Sequence, residues 1–451
     1  MKRFRKALLI CLGALTLGVT ACNDSKEQVV EKKDETTKLT FYFPVNVGGK
    51  AANLVSEMTE EFNKQNTDIV VEPVYTGNYD DTVTKIQTAA QGGNPPELFV
   101  RLATQRFTLS NAGMAMPLDD LIKKDGEEGK KYIEDFLPGF MEDSYVEGKI
   151  YSIPFQRSTM VLFYNKDAFT EVGLDPEKAP KSYKELAEAA KKLTKGTERH
   201  GFAMIMDAWF IEQLLANENT LYVNEENGRA GKSPTAVAYN GEKIKTIFNW
   251  LNDMYRDNTA TSYGKEYQNT RAAFLSGKVS MYIDSSAGIQ QLTELANFEI
   301  GSAYVPSENG EFTGVPIGGA SLWITNSVSD EKQAAAWDFV KYAVSKESQA
   351  LWASSTGYYS VNKEAYDLDL LKKDLEKTPQ KLVAVNEIKD TQKTAATSGA
   401  IVGVFPELRK VMTDSMEKVY VGREKIDKII DKMVKESDRI VKRYNRLNSS
   451  K

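Results

Sequence analysis

Histidine and cysteine are nearly missing from this chain of 451 residues: there is one histidine, His200, and there are two cysteines, Cys11 and Cys22. So small a set excludes zinc fingers, iron–sulfur clusters and a disulfide scaffold, and it leaves histidine-dependent catalysis without a constellation to work in. His200 follows Thr197-Glu198-Arg199, a polar stretch that reads as a solvated loop. No phosphate-cradling Walker loop and no nucleophile elbow occurs. Carboxylates are plentiful, yet no spacing recommends a glycosidase pair. No cofactor or metal is implied, and the chain is not expected to be an enzyme. A net basic face is missing too: 58 Lys and Arg stand against 63 Asp and Glu, a formal charge of -5, which gives no support for nucleic-acid binding. Beyond the first residues, no apolar run approaches the ~18 residues that a membrane-spanning helix needs.

What is present has the composition of a soluble globular protein, 41% hydrophobic and 27% charged. At ~150 residues per domain the length suggests two or three domains. The N-terminus reads as an address. Lys2, Arg3, Arg5 and Lys6 form a basic region, and a mostly apolar run from Ala7 to Leu17 follows, too short for a mature spanning helix. Then Val19-Thr20-Ala21 places small residues directly before Cys22. Residues 1–21 are therefore expected to be a removed signal peptide. From Cys22 to Lys38 the chain has no aromatic residue and crowds charges of both signs, which is the composition of a flexible tether.

The body alternates strand and helix patterns. Leu39, Phe41 and Phe43 alternate as in a strand, and Gly48-Gly49 breaks the pattern. Leu54, Val55, Met58 and Phe62 share one helical face, Ile69 to Val71 is a short buried strand, Tyr79 to Ala90 is helical, and Leu98 to Val100 is again a strand. That order predicts a parallel α/β sheet, with ligands held beyond the carboxyl ends of its strands. Further strands are expected at Tyr151–Phe155, Met160–Tyr164, Val279–Ile283 and Leu322–Ile324. Ser182-Tyr183-Lys184-Glu185 is a capping box, Glu331 to Val344 is helical, and Ile426, Ile429, Ile430, Met433, Ile440, Val441 and Tyr444 form the apolar stripe of a docked helix. Gly318-Gly319 reads as a turn, with a weak hint of a backbone-amide site.

Several stretches together resemble the extracellular solute-binding proteins of bacterial ABC importers, in the branch of sugar and glycerol-3-phosphate binders. They are Phe163-Tyr164-Asn165-Lys166-Asp167-Ala168-Phe169 with Gly173-Leu174-Asp175-Pro176; Ile317-Gly318-Gly319-Ala320-Ser321-Leu322-Trp323; Ala334 to Val340 through Thr356-Gly357-Tyr358; and Gly77-Asn78-Tyr79. In this context Val19-Thr20-Ala21-Cys22 resembles a lipobox, with Cys22 as the lipidated residue. The resemblance implies a periplasmic-binding-protein-like α/β fold of two lobes joined by a hinge, with the ligand cleft between them. The lobes are expected at 39–150 plus about 295–345, and at 151–294 plus about 346–447. It also implies ABC permease subunits as partners, a monomer, and a location outside the cell, held to a bacterial membrane by lipid at the surface or in the periplasm.

Carried over position by position, the resemblance places ligand contacts at Tyr79, Ser158, Ser285, Gly319, Tyr358 and Arg409. One position departs: the glutamate that serves the polyol hydroxyls falls on Ala103. The chemistry of the set is that of donors to an anion, since two hydroxyls, an amide, a phenol and a guanidinium all donate. Arg101, Arg106 and Arg157 lie in neighbouring loops, where they add positive potential or serve as ion-pair partners. Trp209, near Asp207, is a core ring or a stacking platform for a sugar. The expected solute is a phosphorylated polyol or a carbohydrate, with a modest preference for the phosphate ester. The rival is a secreted lipoprotein carbohydrate-active enzyme.

Overall fold

The computed structural model describes residues 36–44, 51–137 and 139–448. The expected signal peptide, Cys22, most of the tether and the Gly48-Gly49 break lie outside these residues. The principal strands are β1 (Thr37–Phe43), β2 (Ile69–Tyr75), β3 (Leu98–Leu102), β4 (Ile153–Ser158), β5 (Met160–Asn165), β6 (His200–Ala203), β7 (Ala260–Thr261), β8 (Val279–Ser285), β9 (Ile300–Ala303) and β10 (Gly318–Ile324). The helices that matter below are α1 (Ala51–Gln65), α2 (Tyr79–Gln91), α3 (Tyr183–Leu193), α4 (Ala208–Asn217), α5 (Asp330–Ala343), α6 (Gln380–Asp390), α7 (Phe405–Val421) and α8 (Ile426–Asn448).

Two five-stranded sheets form. The first has the order β2-β1-β3-β10-β4 and the second β9-β5-β8-β6-β7. In the first, β1 runs parallel to β2 and β3, while β10 is antiparallel to β3 and β4. The alternation in β1 puts Leu39, Phe41 and Phe43 into the core, where the apolar face of α1, with Leu54, Val55, Met58 and Phe62, also lies buried. Phe339 of α5 meets both Phe41 and Phe62 edge-on. The strand begins earlier than the tether reading allowed, because Thr37 and Lys38 already pair with Ile69 and Val70.

The second sheet gathers a separate apolar cluster. Ser182 caps α3 as expected: its hydroxyl accepts from the Glu185 N–H at 3.1 Å, and the Glu185 carboxylate accepts from the Ser182 N–H at 3.2 Å. Such a reciprocal cap contributes about 1 kcal/mol. The stripe of α8 packs as expected, with Ile426, Ile429, Ile430, Met433 and Val441 buried.

Three expectations need correction. His200 is not in a solvated loop; it is half-buried and opens β6, its N–H bonded to the Lys278 carbonyl at 2.9 Å. Gly201 permits this, because a Cβ there would stand 2.0 Å from the Ala190 carbonyl oxygen of α3. Gly318-Gly319 is not a turn but the start of β10, paired with Ser158 and Arg157. Two strands pair in a different sheet from the one their expected lobe suggests. β4, expected in the second lobe, pairs in the first sheet, and β9, expected in the first, pairs with β5 in the second. Hydrophobic pattern marks that a segment is a strand, but not which sheet takes it.

The chain passes from one sheet to the other at Thr159, the single residue between β4 and β5. Thr159 is fully buried, and its hydroxyl lies 2.7 Å from that of Tyr359, which donates to the Ala384 carbonyl of α6 at 2.7 Å. Glu387, one helical turn along α6, is also fully buried. Burial pushes its carboxyl up from 4.5 to about 8, against weaker pulls from Thr159 and the Val305 amide. A glutamate that keeps its proton to about 8 when folded, but releases it near 4.5 when unfolded, weakens the fold as pH rises between those values. Glu387→Gln removes that slope. Its melting temperature should exceed that of the parent by a margin that widens from pH 5 to pH 8, and an equal margin at both would assign the pH dependence elsewhere.

Candidate ligand-binding site

The crossover assembles the floor of a cavity. Thr159 bonds Ser286 twice through main-chain groups, its carbonyl accepting from the Ser286 N–H at 2.8 Å and its N–H donating to the Ser286 hydroxyl at 3.3 Å. The Tyr359 N–H donates to the Arg157 carbonyl at 2.8 Å. Ser158, Ser285 and Tyr358 are the chain neighbours of these tied residues, so three separate segments bring them to one place. Asp284, fully buried, braces the same corner: it accepts from Arg271 at 2.7 and 3.2 Å and from the Ser285 N–H at 2.6 Å.

The cavity above this floor encloses about 1080 Å³ including its open mouth. Tyr79, Ser158, Trp209, Ser285, Gly319, Tyr358 and Arg409 all line it, as does Ala103, where the resemblance has a glutamate. Tyr79 stands at the N-terminus of α2 and its hydroxyl donates to the Gln156 side chain at 3.2 Å. Gly319 has φ +117°, and a Cβ there would lie 1.9 Å from the Gln156 carbonyl oxygen, so no other residue fits. Trp209 opens α4 beside its cap Asp207, which accepts from the Trp209 N–H at 2.9 Å and from the Tyr267 hydroxyl at 3.0 Å. A Cβ on Gly318 would lie 2.9 Å from the Trp209 ring, so the indole rests on bare main chain.

Sequence reasoning missed one whole face of α4. Trp209, Glu212, Gln213 and Ala216 line the cavity at spacings of three and four residues, which is one side of a helix. That spacing was the available signal. Glu212 matters most, because it grips Arg409 side-on: Nε to Oε1 is 2.6 Å and Nη2 to Oε2 is 2.7 Å. The guanidinium also lies over the Phe405 ring at 4.8 Å. Burial pushes the Glu212 carboxyl up while Arg409 pulls it back. The pairing keeps Arg409 cationic despite its own burial. Beside the expected donors, three carboxylates also line the cavity: Asp143, Asp207 and Glu212.

The expected extra positive potential is also spent. Arg157 donates to the Ala320 carbonyl and the Ser321 hydroxyl, at 2.6 and 3.0 Å, and burial pulls it down to about 10. Arg106 pairs with Asp143 at 2.7 Å, and Arg101 donates to the Tyr79 carbonyl. None of the three lines the cavity, whose only lysine or arginine among the described residues is Arg409.

Residues 57–380 match the family model of the bacterial extracellular solute-binding proteins. The chain belongs to that family. This binding protein is 27% identical, over 99% of its own length and 100% of the relative's, to the sn-glycerol-3-phosphate-binding periplasmic protein UgpB of Escherichia coli K12. Among solved structures, it superposes on UgpB of Mycobacterium tuberculosis, in complex with glycerophosphocholine, with a TM-score of 0.77 and 21% identity, covering 91% of this chain and 99% of that one. The Listeria monocytogenes ABC substrate-binding protein Lmo0181, in complex with cycloalternan, gives a TM-score of 0.77 at 20% identity, covering 90% and 99%. The fold is thus the two-lobed α/β fold of these proteins, and the role is that of a solute-binding component of an ABC importer.

The Glu212–Arg409 pair makes truncation at Arg409 a stability experiment too. Arg409→Ala leaves Glu212 buried and unpaired, which should cost about 3 kcal/mol in urea unfolding. Arg409→Ala combined with Glu212→Ala should recover most of the loss, and a double variant no more stable than the single would deny the coupling.

Proposed function

We propose that this binding protein captures a polyhydroxylated small solute, of the carbohydrate or glycerol-ester class, and delivers it unaltered to an ABC permease. The observation that carries the solute class is the α4 face: an indole resting on main chain, with hydroxyl-seeking groups one turn along. Gln213 is 1% exposed and donates to the Pro316 carbonyl at 3.0 Å, while its Oε1 has no partner. A buried acceptor without a donor costs free energy that a ligand hydroxyl recovers. Aromatic faces and such fixed polar groups are what a sugar or polyol site needs. The relatives' named solutes, sn-glycerol 3-phosphate and cycloalternan, both belong to the polyhydroxylated class.

Tyr79 and Gly319 belong to the first-sheet side of the cavity, and Trp209 and Arg409 to the second. A solute that touches both favours a closed arrangement by its differential contacts. Ser158, Ser285 and Tyr358 at the crossover stay with the solute as the two sides approach. Lipid on Cys22 would keep the folded part near its permease.

A thermal-shift screen of sugars, polyols and phosphate esters should find a solute that raises the melting temperature, because only the folded state binds it. With that solute, the radius of gyration by small-angle scattering should fall. A bound solute that leaves the radius unchanged would indicate a cleft that is already closed. Cys22→Ser should move the protein from the membrane fraction to the soluble one, and its persistence in a detergent-extractable fraction would rule out anchoring through that residue.

A further inference from the structure

We infer that Glu212 is the residue that sets the charge class of the solute, by occupying the side of Arg409 that would otherwise grip a phosphate monoester. The inference rests on reading the cavity as the solute site. Glu212 comes from α4 and Arg409 from α7, 197 residues apart, so the contact is made by packing and not by local chain geometry. Two parallel N–H to oxygen bonds are the means by which a guanidinium recognises a phosphate or a carboxylate. At 2.6 and 2.7 Å, a carboxylate of the protein already fills that fork. The Phe405 ring under the guanidinium fixes its plane.

Charge counting on this wall points the same way. Asp207 acts electrostatically on both members of the pair, so two carboxylates surround one guanidinium. Its own bonds come from the Trp209 N–H and the Tyr267 hydroxyl, neither of which brings a charge. Asp143 is balanced by Arg106. No second lysine or arginine lines the cavity among the described residues. A phosphate monoester carries close to two negative charges. On the Nε–Nη2 edge it must displace Glu212, leaving a buried carboxylate beside Asp207 with no cation, and on the Nη1–Nη2 edge it meets a guanidinium whose charge Glu212 already offsets. A neutral hydroxyl makes no such demand. It can accept from the Nη1 side of Arg409, donate to a free lone pair of Glu212, and leave the pair whole.

The test compares the affinity of the purified protein and its Glu212→Gln variant for sn-glycerol 3-phosphate, with inorganic phosphate as a second probe, by titration calorimetry at low ionic strength. Glutamine keeps the shape and removes the charge. The variant should bind sn-glycerol 3-phosphate at least tenfold more tightly than the parent. Equal affinity, weaker binding in the variant, or no binding by either would overturn the assignment. Glu212→Leu provides a second variant of similar volume should Glu212→Gln fold poorly, and the same gain is expected. Because only phosphate probes enter this comparison, it stands apart from the solute screen. A parent that responds to no neutral sugar or polyol refutes the proposed solute class, while the gain in Glu212→Gln still reports on charge selection.

Discussion

Everything at the centre of this molecule depends on Thr159. At one of its passages between the two sheets the chain uses no loop, and a single residue separates β4 from β5. Its main-chain groups are satisfied by Ser286 and its hydroxyl by Tyr359, so the crossing is tied to two other chain segments and not left as a bare swivel. A buried main-chain group without a partner is costly, which explains why three segments converge there. Ser158, Ser285 and Tyr358 inherit their places from that convergence. The cavity floor is thus a by-product of how the backbone solves a hydrogen-bonding problem.

Cationic groups are spent inside the fold before they reach the cavity. Arg101, Arg106, Arg157 and Arg271 are each at most 2% exposed. Their guanidinium groups serve carbonyls, a hydroxyl and the carboxylates of Asp143 and Asp284. Arginine suits this work because its planar fork satisfies several acceptors while staying weakly hydrated. One guanidinium remains at the cavity wall, and a carboxylate holds it. A chain rich in arginines near its cleft is therefore not a cleft rich in positive charge.

Local features were legible in the sequence where the physics is local. The alternation of Leu39, Phe41 and Phe43, the capping box at Ser182 and the stripe of α8 each depend on residues within a few positions of one another. The cavity residues Tyr79, Ser158, Trp209, Ser285, Gly319, Tyr358 and Arg409 were found through short stretches that resemble a known family, and the fold brings them to one cavity. Glu212 escaped because its meaning lies in Arg409, far away in the chain, and because Trp209 was read singly and not as the first member of a helical face. The sheet membership of β4 and β9 escaped for a related reason, since strand pairing is decided by partners that no local pattern names. His200 was misread because Thr197-Glu198-Arg199 is polar, whereas the strand pattern begins only with the residues that follow.

Trp209 packs its indole against Gly318, where a Cβ would come within 2.9 Å of the ring. The depth of the cleft at that point is consequently set by the pairing of Gly318 with Ser158 across β10 and β4. Such a platform keeps its height when neighbouring side chains are exchanged. Residues further along α4 can then vary in sequence, and change which hydroxyl pattern is read, without shifting the plane on which a ring is laid. In this architecture the plane belongs to the backbone, inherited with the fold, and the pattern belongs to side chains that selection can revise one at a time.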